Sequence, residues 1–269
     1  MHKDFVKLGS QVIHYAQSGP EDARHAMLLF NGIGANVETA ANFMAHFKDT
    51  RIITFDVPGV GRSPTPAFPY RYANIARLAA QLLDHLGVDD VDVFGVSWGG
   101  GLAQQFAYDF RARTSRLILA ATTAGYVMVP GSLSVLSKMA TPKRYSDPDF
   151  MTRIGPEIYG GLLRENEELL TEHMDAMSHS SGRGYLYQLM AIGGWTSWPW
   201  LPQLDMPTLI LMGSDDPIVP PVNGEILAAR IPNAEKVSME CGHLFIITLP
   251  DQTAELIEDF LNRTAAVSA

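Results

Sequence analysis

The feature that most constrains this chain is the run Gly-Val-Ser-Trp-Gly at residues 95–99. An apolar run at 91–94 precedes it, and a stretch with helical apolar spacing at 102–110 follows it. A strand, a sharp turn and a helix in that order push the central serine out of the sheet, with its hydroxyl exposed above the helix N-terminus. Glycines flank the turn because a side chain there would collide with the strand or the helix. The pattern therefore predicts that Ser97 is a nucleophile.

Elsewhere along the chain, short apolar runs alternate with stretches of helical spacing. Several runs are apolar at every position, which is typical of strands covered on both faces of a parallel sheet. Helical spacing is clear at 73–86 and 252–261. Alternating strands and helices predict an α/β fold with a mostly parallel sheet flanked by helices. The predicted strands lie at 12–15, 27–30, 51–55, 91–96, 117–119 and 208–211.

One long gap interrupts this alternation. About eighty residues separate the last two predicted strands, whereas a whole strand–helix–strand unit takes about 30. The gap is rich in Met, Trp, Tyr and Gly, and we interpret it as a mostly helical cap inserted before the strand at 208–211. The chain then divides into a first core part at 1–125, a cap at 126–205 and a second core part at 206–269. Additional core helices without a separate role are the alternative.

A nucleophilic serine needs a base to take its proton and an acid to orient that base. On a fold of this kind the two partners follow the serine in the order acid, histidine. His243 is the only histidine beyond residue 179, and it precedes the last predicted helix. The acid is expected after the strand at 208–211, where Asp215 and Asp216 are adjacent. Neighbouring side chains point in different directions, so we choose Asp216 and keep Asp215 as the alternative.

Acyl transfer also develops an oxyanion, which needs hydrogen-bond donors already in place. We expect these donors to be the backbone N–H groups of Trp98 and of Ile33, which lies in the Gly-flanked loop at 31–34. A cap rich in Met and Trp predicts a soft apolar cavity wall that suits aliphatic acyl chains. The candidate pocket residues are Asn31, Met128, Trp195, Trp198, Val219 and Leu244.

Charge and composition exclude several other classes of protein. The 269 residues carry a formal net charge of -9, and no basic cluster is present, so nucleic acid and anionic membranes are not expected partners. The single cysteine, Cys241, rules out an internal disulfide, and no His/Cys/Asp/Glu set has metal-ligand spacing, so we predict no metal and no cofactor. No apolar run is long enough to form a signal peptide or a transmembrane segment. A cytoplasmic protein is therefore the expectation.

Together, Ser97, Asp216, His243 and the loop at 31–34 resemble the α/β-hydrolase superfamily over nearly the whole chain. This resemblance implies a mostly parallel sheet with helices on both sides and a cap before the acid-bearing strand. A narrower set of motifs is similar to the intracellular medium-chain-length polyhydroxyalkanoate depolymerases. Asn31 agrees with that subgroup, whereas many hydrolases have His there. The motifs lie at 30–36, 55–61, 95–100, 120–125, 127–131, 158–161, 194–197 and 242–245.

The narrower resemblance implies metal-free hydrolysis of ester bonds in a storage polyester or its oligomers, with release of 3-hydroxy fatty acids. The polymer granule is then the implied partner surface. A general carboxylesterase or lactonase and a carbon–carbon bond hydrolase remain alternatives, because they use the same triad. A small-molecule receptor of this fold is the alternative from another class. A haloalkane dehalogenase is disfavoured because its nucleophile is Asp, whereas residue 97 is Ser.

Overall fold

A computed structural model of the chain describes residues 1–139, 141, 148–176 and 181–265. The strands are β1 (His2–Leu8), β2 (Gln11–Ser18), β3 (His25–Phe30), β4 (Thr50–Phe55), β5 (Val91–Val96), β6 (Thr114–Ala120), β7 (Thr208–Gly213) and β8 (Ala234–Met239). Over the described residues they form one eight-stranded sheet in the order β1-β2-β4-β3-β5-β6-β7-β8. The pairs β1/β2 and β2/β4 are antiparallel, and the remaining neighbours are parallel.

Helices follow most of the parallel strands. They are α1 (Val37–Met44), α2 (Tyr72–His85), α3 (Trp98–Asp109), α4 (Leu133–Met139), α5 (Pro148–Tyr159), α6 (Glu167–Ala176), α7 (Gly182–Ile192), α8 (Val222–Ala228), α9 (Phe245–Thr248) and α10 (Pro250–Ala265). Single turns of 3₁₀ helix lie at Arg111–Arg113, Gly161–Arg164 and Leu201–Gln203. Within the described residues, no helix is long and apolar enough to cross a bilayer.

Each face of the sheet is covered by its own hydrophobic core. In β3, Leu28 and Phe30 pack in the core that contains α2 and α3, whereas Met27 and Leu29 pack in the core that contains α1 and α10. Successive side chains of a strand point to opposite faces, so a strand covered on both sides is apolar at every position. This arrangement confirms the predicted α/β fold class.

The predicted strands lie within β2 to β7, and the predicted helices at 73–86, 102–110 and 252–261 overlap α2, α3 and α10. Sequence reasoning missed the two edge strands, β1 and β8. Residues of β1 are mostly exposed and those of β8 are mostly half-buried, so neither strand shows a continuous apolar run. The helices α1 and α8 were also missed because each is only two turns long.

The chain between β6 and β7 contains α4, α5, α6 and α7. This is the stretch for which the sequence predicts a mostly helical cap at 126–205. Residues 140, 142–147 and 177–180 of that stretch lie outside the described residues. The division of the chain into core and cap domains stays a prediction.

Candidate active site

Ser97 occupies a strained turn between β5 and α3. Its backbone φ is 54° and its ψ is -117°, a conformation that residues with a side chain rarely adopt. A Cβ atom on Gly95 would lie 2.3 Å from the carbonyl oxygen of Gly99, and one on Gly99 would lie 2.2 Å from that of Phe30. Both positions therefore accept only glycine, and the strand and helix approach closely enough to hold the serine above the sheet.

The side chain of His243 lies between those of Ser97 and Asp216. Its Nε2 is 3.0 Å from Oγ of Ser97, and its Nδ1 is 2.7 Å from Oδ2 of Asp216. An ionised carboxylate can only accept hydrogen bonds, so Nδ1 carries the proton and Nε2 is free to accept from the serine hydroxyl. The histidine and the aspartate are both buried. The structure thus brings together three residues that are distant in the sequence.

The loop after β7 fixes the orientation of Asp216. Its second carboxylate oxygen, Oδ1, accepts hydrogen bonds from the backbone N–H groups of Ile218 and Val219, each at 2.9 Å. The adjacent Asp215 points the other way, where its carboxylate pairs with Arg164 and accepts from the backbone N–H of Gly161. Of the two candidate acids, Asp216 contacts the imidazole and Asp215 contacts the segment between β6 and β7.

The residues that carry the predicted oxyanion donors both lie close to Ser97. Ile33 and Trp98 line one cavity together with the serine. Gln188 of α7 connects the two donor segments: its Oε1 accepts from the backbone N–H of Gly34 at 3.0 Å, and its carbonyl accepts from the Trp98 indole at 2.8 Å. Sequence reasoning missed this buried glutamine. The available signal was a polar side chain among the apolar residues of α7.

Tyr72 packs against Trp98 and stabilises the turn that carries Ser97. Its hydroxyl donates a hydrogen bond of 2.8 Å to the carbonyl of Trp98, and its ring meets the indole edge-on at 4.8 Å. Complete burial, with a smaller contribution from nearby Tyr70, raises the pKa of Tyr72 well above that of free tyrosine. The hydroxyl therefore stays protonated as a donor, and the backbone that carries the predicted oxyanion N–H is held in place.

The main cavity beside Ser97 has a volume of about 260 Å³ and a mostly apolar wall. Three predicted pocket residues line it: Met128, Trp195 and Val219. The wall also includes side chains that sequence reasoning did not select, namely Leu136, Met139, Tyr185, Leu189, Ile192 and Ile218. Such a wall can accept an aliphatic chain and has little capacity to solvate charge.

A smaller cavity of about 50 Å³ lies on the His243 side of Ser97. Asn31 and Leu244 line it as predicted, and His173 and Tyr159 were not anticipated. The amide of Asn31 donates to the carbonyl of Asn36 at 3.2 Å and to the hydroxyl of Thr54 at 3.3 Å, so it also braces the loop before α1.

The placement of Trp198 differs from the prediction. It lines neither of these two cavities. Its ring instead lies 4.3 Å beneath the guanidinium of Arg230, which also donates to the Trp198 carbonyl. An indole face attracts a cation, so this contact with Arg230 stabilises Trp198 in its position outside the two cavities. The described residues also contain no group of three or more His, Cys, Asp or Glu side chains arranged to hold a metal ion.

Known proteins match this chain over most of its length. Residues 25–157 and 170–250 match the family model described as alpha/beta hydrolase fold. The poly(3-hydroxyalkanoate) depolymerase of Ectopseudomonas oleovorans is 47% identical over 259 residues, which cover 96% of this chain and 92% of that protein. The 3-oxoadipate enol-lactonase 2 of Acinetobacter baylyi is 25% identical, and the match covers 97% of each protein.

Solved structures agree with this fold. The enol-lactonase from Burkholderia xenovorans superposes with a TM-score of 0.85 at 22% identity, covering 96% of this chain and all of that one. At that identity the likeness concerns the fold alone. The family model and the 47% identical relative both span the segments that carry Ser97, Asp216 and His243. This chain is therefore a hydrolase that belongs to the α/β-hydrolase fold family.

Proposed function

We propose that this protein is a serine esterase that hydrolyses ester bonds of medium-chain-length poly(3-hydroxyalkanoate) or of its oligomers. The observation that carries the proposal is the hydrogen-bonded row from Ser97 through His243 to Asp216 beside an apolar cavity. The polyester substrate is supported by the 47% identity to a poly(3-hydroxyalkanoate) depolymerase, against 25% for the enol-lactonase.

In the first half of the proposed reaction, Oγ of Ser97 attacks the ester carbonyl carbon while Nε2 of His243 takes the serine proton. Asp216 holds the imidazole in the required tautomer and stabilises its charged form. The backbone N–H groups of Trp98 and Ile33 donate to the oxyanion. The bond between the carbonyl carbon and the alcohol oxygen then breaks, and the alcohol leaves with the proton from His243.

In the second half, water attacks the acyl group on Ser97. His243 takes a proton from that water and returns it to the serine oxygen as the ester bond to the enzyme breaks. The products are a carboxylic acid and the free enzyme. For a polyester of 3-hydroxy acids, each cycle shortens the polymer and releases a 3-hydroxy fatty acid or a short oligomer.

The aliphatic side chain of the substrate fits the cavity of about 260 Å³. Met128, Trp195 and Val219 offer that chain a deformable apolar wall. A water-insoluble storage polymer also implies that the protein works at the surface of a granule inside the cell. We accordingly propose a cytoplasmic, granule-associated enzyme.

The test of the triad compares two serine variants. Ser97→Ala should lower kcat for p-nitrophenyl octanoate by roughly 10⁴-fold or more while the protein stays folded, because the nucleophile is lost. Ser238 is exposed on β8 and serves as the matched control, so Ser238→Ala should keep full activity. Full hydrolysis by Ser97→Ala would refute the proposal.

A substrate panel tests the proposed polyester. Incubation with medium-chain and short-chain polyester emulsions should release 3-hydroxy fatty acids, with the medium-chain polymer preferred. Turnover confined to simple esters or lactones would favour a carboxylesterase or lactonase. Turnover of a ring-cleavage diketone would favour carbon–carbon bond hydrolysis. Very slow turnover with ligand-dependent melting would favour a receptor.

A further inference from the structure

A short turn from the segment between β6 and β7 inserts between the two loops that carry His243 and Asp216. We call this turn, residues 159–164, the cap turn. It contains Gly160 and Gly161, whose φ values are 65° and 55°. Both values are in the left-handed region that favours glycine, so the turn can reverse tightly enough to enter the space.

On one side, the cap turn binds the loop after β7. The backbone N–H of Gly161 donates to Oδ2 of Asp215 at 2.8 Å. The guanidinium of Arg164 contacts both oxygens of the same carboxylate, at 2.6 Å and 3.1 Å. This two-point pairing matches the planar geometry of the two groups. Asp215 is joined by one peptide bond to Asp216, which contacts the imidazole.

On the other side, the cap turn binds the loop of the histidine. The backbone N–H of His243 donates to the carbonyl of Tyr159 at 2.8 Å. A Cβ atom on Gly242 would lie 2.1 Å from that carbonyl oxygen, and one on Gly161 would lie 2.0 Å from the Gly242 nitrogen. The backbones are therefore in direct contact, and the cap turn limits how the histidine loop can move.

We propose that the cap turn is a positioning element for the catalytic residues, and that Arg164 and Asp215 are its positioning residues. The inference rests on the proposed serine-esterase function. The cap turn binds Asp215 on one side and the backbone of His243 on the other, and so holds the two loops at a constant separation. The imidazole therefore stays aligned between Ser97 and Asp216. A misaligned general base lowers the rate of the chemical step without weakening substrate binding.

The size of the effect follows from what else joins the two loops. Ser214 and Asp215 also donate backbone hydrogen bonds to Met239 and Cys241, at 2.8 Å and 3.0 Å. These bonds survive when the Arg164–Asp215 pair is removed, and that pair is about half exposed. We therefore expect a loss of about fivefold in kcat rather than the collapse expected from loss of a triad residue.

The experiment compares Arg164→Ala with Arg111→Ala in the full-length protein. Arg111 pairs with Asp205 and is similarly exposed, and neither residue of that pair lines the cavities beside Ser97. Two assays are run: steady-state hydrolysis of p-nitrophenyl octanoate, which gives kcat and KM, and covalent labelling of Ser97 by a fluorophosphonate, which gives a labelling rate. Labelling reports activation of the serine by His243 without requiring acyl-chain release. Unfolding midpoints in urea confirm that each variant is folded.

Arg164→Ala should lower kcat and the labelling rate by the same factor of about five, with KM changed less than twofold. Arg164→Lys should recover part of the loss, because an ammonium can still pair with Asp215. The double variant Asp215→Asn with Arg164→Ala should lose no more kcat than the more damaging single variant, because both substitutions remove the same ion pair. Arg111→Ala should leave both rates unchanged.

Undiminished kcat and labelling in Arg164→Ala and Asp215→Asn would overturn the inference. A raised KM with unchanged kcat would also overturn it, because the cap turn would then act in substrate binding. These outcomes differ from failure of the proposed function itself. In that case the wild-type protein would not be labelled at Ser97, and no comparison among the variants would arise.

Discussion

The substitution Asp216→Asn separates the chemical role of this carboxylate from its structural role. The aspartate accepts three hydrogen bonds: Oδ1 accepts from Ile218 and Val219, and Oδ2 accepts from Nδ1 of His243. An asparagine can keep its amide oxygen at the position of Oδ1, so both backbone donors stay satisfied. Its NH₂ group then faces Nδ1 of the histidine and must donate rather than accept.

The imidazole then adopts its other neutral tautomer. Nδ1 becomes the acceptor, Nε2 carries the hydrogen, and the base can no longer take the proton of Ser97. We expect kcat to fall by about 10⁴-fold, which corresponds to about 5.5 kcal/mol of transition-state stabilisation. The free energy of unfolding should fall by only about 1–2 kcal/mol, because a charge-assisted hydrogen bond is replaced by a neutral one.

Asp216→Ala provides the contrast in stability. It leaves the three buried donors without their acceptor, at about 1–3 kcal/mol each, so the free energy of unfolding should fall by about 3 kcal/mol or more. Urea unfolding with near-UV circular dichroism measures stability, and hydrolysis of p-nitrophenyl octanoate measures kcat. An asparagine variant that keeps more than a few per cent of wild-type kcat would refute the tautomer argument. An alanine variant as stable as the asparagine variant would refute the hydrogen-bond accounting.

Two further substitutions, each with a matched control substitution, test the turn and the cavity. Gly99→Ala would place a Cβ atom 2.2 Å from the Phe30 carbonyl, so it should destabilise the fold by about 3 kcal/mol or more in urea unfolding. Gly182→Ala meets nothing within 4 Å and should be neutral; equal stability of the two variants would contradict the steric argument. Met128→Trp fills part of the cavity of about 260 Å³ and should lower kcat/KM for p-nitrophenyl octanoate about tenfold while the butanoate ester changes less than threefold. Met190→Trp, at an exposed position, should leave this chain-length ratio unchanged, and an equal shift in both variants would show that the cavity does not select chain length.

Local sequence was sufficient to predict the serine turn. Five consecutive residues carry this signal, and the close approach of Gly95 to the carbonyl of Gly99 lies within the turn itself. The alternation of apolar runs and helical spacing likewise predicted the buried strands, because burial on both faces removes polar residues from them. The order of serine, acid and histidine then narrowed the partners of Ser97 to His243 and the Asp215–Asp216 pair.

Tertiary structure decided what local spacing could not. Asp215 and Asp216 are adjacent and chemically identical, and only the path of the loop after β7 sends one carboxylate to the imidazole and the other to Arg164. Trp198 contacts Arg230, which is 32 residues away in the chain. Gln188 bonds with the loop before α1 across 154 residues.

Contacts between residues so far apart in the chain produce no periodic pattern in the sequence, because each partner alone resembles an ordinary core or surface residue. By itself, the sequence predicted the fold class, a candidate nucleophile and the order of its candidate acid and base, since each depends on short spacing or on burial of whole elements. The three-dimensional packing alone determined which carboxylate faces the histidine, which side chains line the cavity, and that residues 159–164 lie between the loops that carry His243 and Asp216.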